Sequence, residues 1–351
     1  MRYLFISVVS ILILYYSFKK EHTYWNRQPV STNQIKQEGV ISDTVPFPIR
    51  TKKSFKIVKN NPSDVFLHYS LAKFLSEHYV KGYHFNNTII SWYLKYPELT
   101  SRNVLTLQRG NKIIASLVGK PYRLNIKGKI LNLHYIDMLS VHDNHRNKNY
   151  APLVISHSAI QFKYGVFKVE NKQLPFNHVC KMKYYTYEAH DYIKCENTHI
   201  LKDSTLEDLD YINSLYKKKS SKYKFYPEFD EKQMNYFFTT TNVYRSLIIE
   251  EDGINMGILT YVINSDATCK INMCEVVLFL YEGNDYINLF KHFVNHCIDN
   301  NITLIISLNI SENHHFIDNF NFRKGFDTYL YLYNYHINEV IQPKDVLFNF
   351  V

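Results

Sequence analysis

The sequence has few cysteines and no paired cysteine motif. Its 351 residues include five cysteines, an odd number, and no two of them form a Cys-x-x-Cys pair. Cys269 and Cys274 are not spaced like zinc ligands. The pattern favours neither a disulfide framework nor a structural metal site. We therefore expect a reducing compartment and no bound metal.

The chain also lacks a long block of basic residues. Lys and Arg number 41 against 32 Asp and Glu, which gives a net charge of +9, but the basic residues are scattered. Such a surface suits phosphorylated cofactors, acidic peptides or anionic lipids, and we expect no nucleic-acid partner. With 46% hydrophobic and 21% charged residues, the chain is long and apolar enough for two folded domains and is not disordered.

No small-residue cleavage site follows the apolar N-terminal segment at residues 3–18. This absence argues against a removed signal peptide. The segment is shorter than the roughly 20 residues that comfortably span a bilayer, yet it is within reach of a short anchor. We expect an uncleaved membrane anchor with the folded part facing the cytoplasm. The alternative is a hydrophobic helix packed on a cytoplasmic protein.

Hydrophobic periodicity divides the rest of the chain into an arm and two similar halves. The polar, proline-containing residues 21–62 predict an extended arm. The elements predicted for the first half, residues 63–197, are helices at 63–80, 87–95 and 152–162 and strands at 103–108, 111–118, 129–141 and 165–169. Those predicted for the second half, residues 198–351, are helices at 205–217, 230–238, 285–299 and 312–319 and strands at 243–250, 254–263, 274–281, 302–308 and 328–335. Because the order of elements repeats, we expect an α/β fold of two related halves.

The most informative stretch runs from Tyr135 to Pro152. An apolar strand-like run ends in a polar loop that carries Arg146 and Lys148, and Pro152 then opens an apolar helix. Such a unit presents backbone N–H groups and positive charge to a phosphorylated cofactor. It favours an acyl-CoA transferase over a structural protein, although a solvated basic loop is the alternative.

Several segments, in the same order, resemble the glycylpeptide N-tetradecanoyltransferase (N-myristoyltransferase) family. Residues 135–142 (YIDMLSVH) resemble the family signature EINFLCVH, and residues 146–152 (RNKNYAP) resemble the RSKRVAP that follows it. Residues 22–30 (HTYWNRQPV) resemble the N-terminal arm that covers the acyl-CoA in the family. Shorter matches occur at residues 77–80, 307–313 and 332–335.

The resemblance implies a monomeric enzyme with two pseudo-symmetric halves, each like a GCN5-related acetyltransferase (GNAT), behind the N-terminal hydrophobic segment. The first half would bind myristoyl-CoA, and the second would help to bind a peptide or protein that begins with glycine. The residues implied to hold the acyl-CoA are Tyr24, Trp25, Arg146, Asn147, Lys148, Asn149, Tyr150 and Ala151.

The implied reaction moves a tetradecanoyl group from the sulfur of CoA to the glycine amine. Family resemblance assigns the removal of the amine proton to the carboxylate of Val351. It assigns stabilisation of the thioester oxygen to the backbone N–H groups of Met138 and Leu139. The alternatives are a frayed terminus for Val351 and an ordinary core strand for Met138 and Leu139.

The peptide side departs furthest from the family pattern. The implied peptide-binding residues are Tyr79, Tyr83, Phe85, Asp137, Ser265 and Asn309. Asp137 stands where the family has Asn, and a carboxylate holds an ammonium group more strongly than an amide does. Lys81 and Gly82 replace the acidic run that selects a basic substrate residue in the family, so we expect this chain to lack that preference. Gly325 remains of a glycine-rich second signature, which has gained Arg323, Lys324 and Phe326.

Two functions remain open from the sequence. The first is an active N-myristoyltransferase with altered substrate choice. The second is a catalytically inactive relative that binds acyl-CoA or a myristoylated peptide as a membrane-anchored assembly component. A GNAT-type acetyltransferase is disfavoured by the aromatic arm and by the match that extends to the last residues.

Overall fold

The computed structural model describes residues 24–44, 48–79, 85–196, 198–266 and 271–350, and for Ser265 and Asp266 it describes the backbone alone. The α-helices within these residues are α1 (Val65–His78), α2 (Asn87–Leu94), α3 (Tyr150–Ala159), α4 (Leu209–Ser220), α5 (Glu231–Phe238), α6 (Tyr286–Asp299) and α7 (His314–Asn319). The 3-10 turns are Trp25–Arg27, Asp143–His145, Leu206–Asp208, Ser311–Asn313 and Pro343–Asp345.

The strands form a large mixed sheet and a small ribbon. In chain order they are β1 (Gly39–Val40), β2 (Lys56–Lys59), β3 (Val104–Arg109), β4 (Lys112–Ile126), β5 (Lys129–Val141), β6 (Gly165–Glu170), β7 (Cys180–Glu188), β8 (His199–Asp203), β9 (Phe225–Glu228), β10 (Tyr244–Glu251), β11 (Ile254–Asp266), β12 (Ile271–Tyr281), β13 (Leu304–Leu308), β14 (Arg323–Tyr333) and β15 (Tyr335–His336). The 13-stranded sheet has the order β2-β3-β4-β5-β6-β14-β7-β13-β12-β11-β10-β8, with β9 also paired to β4, and the ribbon is β1-β15.

The same pairing order occurs twice along the sheet. β3, β4 and β5 are antiparallel, and β5 then pairs in parallel with β6. β10, β11 and β12 are likewise antiparallel, and β12 pairs in parallel with β13. The next strand in the sheet after each parallel pair comes from the other half of the chain. β14 lies beside β6, and β7 lies beside β13. Strands from the two halves of the chain therefore alternate in the middle of one continuous sheet.

The two central parallel pairs are short. β5 and β6 pair only at His134–Gly165 and Tyr135–Val166. Both strands continue beyond these residues without pairing to each other, which leaves a gap between them. This gap positions the functional site.

Local sequence signals account for where the helices begin. The side chain of Asp64 caps α1 through the Phe66 N–H, and that of Asn86 caps α2 through the Ile89 N–H. Asp230 and Gln233 form a capping box at α5. Gly110, with a φ of 58°, makes the turn between β3 and β4 that the Gly-Asn pair predicts.

The predicted helices and most predicted strands are confirmed, with several differences at their ends. Thr205 and Asp208 form a capping box at the 3-10 turn before α4. β2 was expected to be part of an extended arm but forms the edge of the main sheet. β7, β8 and β9 were not predicted. β8 and β9 are short and carry little periodic signal, but in β7 the alternation of Cys180, Met182 and Tyr184 with Lys181 and Lys183 was an available signal.

The arm packs on the centre of the molecule. Val30 forms an isolated bridge with Tyr333, and β1 pairs with β15. None of the helices within the described ranges is both long and apolar enough to cross a bilayer. The membrane anchor expected at residues 3–18 lies outside the described residues.

Candidate active site

A cavity of about 850 Å³ occupies the gap between β5 and β6. Its wall includes residues 135–141 of β5, residues 167–170 of β6, the loop and first turn of α3, and the arm residue Trp25. Residues of β7, β11, β12 and β13 close the far side. This volume lies in the range of small-molecule and cofactor sites.

A β-bulge shapes the β5 wall. Ser116 pairs with Ser140 and Val118 pairs with Asp137, so Leu117 alone faces both Met138 and Leu139. Met138 has a φ of 51°, and its carbonyl accepts a hydrogen bond of 2.7 Å from the buried Ser116 hydroxyl. A bulge of this kind releases backbone groups from the ladder and re-aims them. Met138 and Leu139 both line the cavity.

Asp137 is held at the bulge by three donors. Its Oδ1 accepts from the Met138 N–H at 2.7 Å and from the Tyr79 hydroxyl at 3.3 Å. Its Oδ2 accepts from the Tyr93 hydroxyl at 2.9 Å. Burial first, and then the charge of Asp137, raise the pKa of Tyr93 well above its usual value, so Tyr93 stays protonated and acts as a donor. One of the two amides implied for the thioester oxygen is therefore engaged by Asp137.

The loop before α3 has the geometry of an anion site. Asn147 and Asn149 both have a φ of 61°, and Asn149 precedes α3 without making a side-chain cap. The first N–H groups of the helix therefore have no capping side chain and can bind an anion. The Arg146 guanidinium adds positive charge and is fixed by a 2.8 Å bond to the His78 carbonyl and a 2.8 Å ion pair with Asp143.

An apolar wall runs from the bulge to the arm. The Trp25 ring stacks at 6.1 Å on Phe167 of β6, and Ala159 and Phe162 enter from α3 and the residues after it. Tyr333 of β14 completes this wall, and its hydroxyl donates to Gln28 of the arm at 3.0 Å. The arm thus covers an apolar pocket suited to a fatty chain.

A polar network forms the wall opposite the bulge. The Lys168 ammonium donates to the Asn349 side-chain oxygen at 2.8 Å, and Asn349 donates to Glu275 Oε1 at 2.6 Å. The Tyr184 hydroxyl donates to the same carboxylate oxygen at 3.1 Å. Nearby, burial raises the pKa of Glu170, and the charge of Lys168 opposes that rise. This wall can bind polar or charged groups of a second substrate.

The described C-terminal segment reaches the same cavity. The Phe350 ring lies 5.3 Å from the Tyr135 ring, and the Phe350 carbonyl accepts from the Tyr135 hydroxyl at 3.3 Å. Val351 itself, the proposed base, lies outside the described residues. The cavity therefore brings together residues from the arm, from both halves and from the segment that precedes Val351.

Most of the residues implied by the family resemblance line this cavity. They are Trp25, Tyr79, Phe85, Asp137, Met138, Leu139, Arg146, Asn147, Asn149, Tyr150 and Ala151. Tyr83 lies outside the described residues, and so does the side chain of Ser265. The roles of these residues stay predictions.

Three other implied residues are not brought to the cavity wall. The Tyr24 hydroxyl is buried without a partner, and burial raises its pKa. The Lys148 ammonium donates to the Asn144 carbonyl at 2.8 Å on the surface of the loop. Asn309 accepts from the Lys183 N–H at 2.7 Å and lines a separate, smaller cavity.

Several polar residues in and behind the cavity wall were not predicted from the sequence. The missed residues are Tyr93, Lys120, Lys168, Glu170, Tyr184, Glu275 and Asn349. Charged residues within otherwise apolar strands, such as Lys120 in β4 and Glu275 in β12, were the available signal. Among the described residues, no group of three or more His, Cys, Asp or Glu side chains could hold a metal ion.

Comparisons with known proteins agree on one family. The model of the myristoyl-CoA:protein N-myristoyltransferase N-terminal domain matches residues 34–167. A glycylpeptide N-tetradecanoyltransferase from Candida glabrata is 27% identical over 152 residues, which is 39% of this chain. The match spans 34% of that relative's length.

Solved structures share the fold over nearly the whole chain. Two crystal structures of Saccharomyces cerevisiae N-myristoyltransferase with bound myristoyl-CoA match with TM-scores of 0.80, at 18% identity. The matches cover 94% of this chain and 97% and 92% of theirs. A GCN5-related N-acetyltransferase from Anabaena variabilis matches 79% of this chain and 72% of its own, with a TM-score of 0.53 and 13% identity. At these identities the likeness shows the fold.

Proposed function

We propose that this chain, as a member of the myristoyl-CoA:protein N-myristoyltransferase family, transfers a tetradecanoyl group from myristoyl-CoA to the N-terminal glycine of a peptide or protein. The observation that carries the proposal is the bulge at Met138 and Leu139, which faces one cavity shared by the arm and the loop before α3. An acyl-CoA binds with its phosphates at that loop and its fatty chain under the arm.

The anion site supports the orientation of the acyl donor. Arg146 and the uncapped N-terminus of α3 attract the phosphates of CoA, while the wall around Trp25 and Phe167 buries the tail. Burial of a methylene contributes about 0.8 kcal/mol, so a long acyl chain adds more affinity than any single polar contact. The thioester carbonyl then lies at the bulge between these two ends.

The bulge supports stabilisation of the oxygen that gains negative charge during attack. In the proposed step the glycine nitrogen forms a bond to the thioester carbon, and the oxygen accepts hydrogen bonds from the Met138 and Leu139 amides. Each such donor contributes roughly 3 kcal/mol to the transition state. Asp137 must release the Met138 N–H for both donors to act. Collapse of the intermediate expels the CoA thiolate.

The amine side of the reaction needs a proton acceptor. Free α-amino groups have a pKa of about 7.7–8.0, so most are protonated at pH 7 and cannot attack. We propose that the carboxylate of Val351 takes this proton, as the family resemblance implies. Placement of the Phe350 carbonyl at Tyr135 on the cavity wall supports this assignment. Tyr79, Phe85 and Asp137 would contact the first residues of the peptide.

A specific observation also favours the second candidate, a catalytically inactive acyl-CoA-binding relative. The Met138 N–H is engaged by Asp137 rather than directed at an open position. If Asp137 never releases it, the thioester is bound but only one donor remains to activate it.

A transfer assay separates the two candidates. Full-length protein is incubated with myristoyl-CoA and peptides that differ only in Gly or Ala at the first position, and the products are analysed by intact mass. We expect a gain of one tetradecanoyl group on the Gly peptide alone. Saturable acyl-CoA binding without modification of any peptide would support the inactive relative instead.

We further propose that the chain consists of two related GNAT-like halves and associates with membranes through residues 3–18. The strand order that occurs twice in the sheet and the likeness to an acetyltransferase support the two related halves. The apolar sequence of residues 3–18 supports the membrane association. Partition of the full-length protein into a membrane fraction that resists a high-salt wash tests the anchor, and loss of partitioning on deletion of residues 1–20 is expected.

A further inference from the structure

Lys120 is a lysine buried completely behind the wall of the cavity. It lies on β4 and exposes none of its surface to solvent. Its ammonium nitrogen is 3.3 Å from the centre of the Tyr93 ring, and the rings of Trp92 and Tyr96 are 5.4 and 5.5 Å away. A buried charge is costly unless it is compensated, and aromatic faces supply part of that compensation. A lysine in this position therefore needs an explanation.

Tyr93 connects Lys120 to Asp137. The Tyr93 ring lies against the ammonium, and its hydroxyl donates to Asp137 Oδ2 at 2.9 Å. Lys120 pairs with Tyr135 and Val118 pairs with Asp137, so the two charged residues are diagonal neighbours on one face of the sheet. Asp137 lines the cavity, and Lys120 lies behind it.

The ionisation of Lys120 depends on this neighbour. Burial lowers the pKa of Lys120 to about 7, and the negative charge of Asp137 opposes that lowering. The other titratable groups that face it are Tyr93, Tyr96, Tyr122 and Tyr135, whose pKa values are all raised by burial. These tyrosines stay neutral at working pH. Among the described residues, Asp137 therefore supplies the negative charge that acts on Lys120.

Asp137 alone would hinder the proposed reaction. A carboxylate beside an α-amino group stabilises the ammonium form and raises its pKa. Each unit of that rise reduces the reactive neutral amine about tenfold. A positive charge behind the carboxylate opposes this effect, and the carboxylate can still accept a hydrogen bond from the amine.

We propose that Lys120 is a positioning residue that balances the charge of Asp137, so that Asp137 orients the glycine amine of the substrate without holding it as an unreactive ammonium. This inference rests on the proposed transfer to an N-terminal glycine. Lys120 does not touch the substrate but acts through Tyr93 and Asp137.

The test compares Lys120→Met, Asp137→Asn and the double variant in the full chain. Values of kcat and KM for a Gly-initiated peptide are measured from pH 6 to 9, with Lys202→Met on the exposed strand β8 as a control. For Lys120→Met we expect a lower peptide KM and a lower kcat below about pH 7, where Lys120 is charged, with the acidic limb of kcat moved up by about one pH unit. The double variant removes both charges and should move that limb back toward its wild-type position.

Two results would overturn the inference. One is a double variant whose effects on kcat and KM equal the product of the single variants, because the two residues would then act independently. The other is a Lys120→Met protein with lower thermal stability but an unchanged pH profile, which a merely structural lysine would give. Lys120→Gln serves the same comparison if Lys120→Met does not fold.

A binding measurement separates failure of this inference from failure of the proposed function. If no peptide is modified by the wild-type protein, calorimetry in the presence of myristoyl-CoA compares a free-amine peptide with its N-acetylated form. Lys120→Met should bind the free-amine peptide about tenfold more tightly than the wild type does and leave the acetylated one unchanged. Equal changes for both peptides would contradict the role of Lys120.

Discussion

Ala159→Leu tests whether the apolar wall limits the length of the acyl chain that can bind. Ala159 is 4% exposed, lies on the last turn of α3 and lines the cavity in the cluster that contains Val30 and Tyr331. Leucine at this position adds three carbon atoms to the space proposed for the end of the fatty chain. The bound chain must then leave about three methylenes unburied.

The magnitude follows from the transfer energy of a methylene. Three methylenes at about 0.8 kcal/mol each amount to about 2.4 kcal/mol, or about a sixtyfold loss of affinity for a tetradecanoyl donor. Acyl chains shorter by about three carbons should bind the variant and the wild type equally well. The variant should therefore prefer a donor of about eleven carbons rather than lose affinity for all donors.

The assay is competitive binding of acyl-CoAs from eight to sixteen carbons to the full-length protein. Ile160→Ala is the matched control, because Ile160 is the next residue and is 49% exposed. The Ile160→Ala variant should show the same dependence of affinity on acyl-chain length as the wild type. An unchanged profile in Ala159→Leu, or an equal loss for every chain length at unchanged thermal stability, would refute the placement of the acyl tail.

Three further predictions concern the anion site and the stability of the first half. Arg146→Ala should weaken binding of acyl-CoA about ten- to hundredfold, because a charge-assisted hydrogen bond contributes about 1.5–3 kcal/mol. Binding of an acyl-pantetheine without nucleotide phosphates should not change. Equal weakening of both ligands would exclude a phosphate contact. Gly119→Ala should lower the free energy of unfolding in urea by about 1–3 kcal/mol, because a Cβ there would lie 2.5 Å from the Phe162 ring; a neutral effect would mean that the ring moves freely. Burial lowers the pKa of His134 from 6.5 to about 4. As the pH falls, the unfolded chain therefore binds a proton at His134 before the folded chain does. The free energy of unfolding should then fall by up to about 3 kcal/mol between pH 6.5 and 4; His134→Gln should remove that slope, and an unaltered slope would assign it to other groups.

The sequence predicts the elements well where the apolar pattern is long. Helix α6 and strands β5 and β12 follow from regular apolar spacing, whereas only the first half of β4 was predicted. The pairing of β3 with β4 follows from the short turn at Gly110. The exchange of β7 and β14 between the halves could not be predicted. It depends on pairings between residues more than one hundred positions apart, such as Tyr184 with Leu308, for which local propensity carries no signal.

The site shows the same division between local and distant information. The loop before α3 and the bulge strand follow from one continuous stretch of sequence, from Tyr135 to Pro152. The far wall joins Lys168, Glu275 and Asn349, which come from separate parts of the chain and meet only in the fold. Lys120 could be seen as a charge inside an apolar strand, but its neighbour Tyr93 could not.

The most direct test of the account is a crystal structure of the protein with a non-hydrolysable myristoyl-CoA analogue. We expect the carbonyl oxygen to lie about 3 Å from the Leu139 amide nitrogen, Asp137 to have moved off the Met138 N–H, and the tail to end beside Ala159. A carbonyl far from the bulge, or a fatty chain outside the gap between β5 and β6, would contradict it.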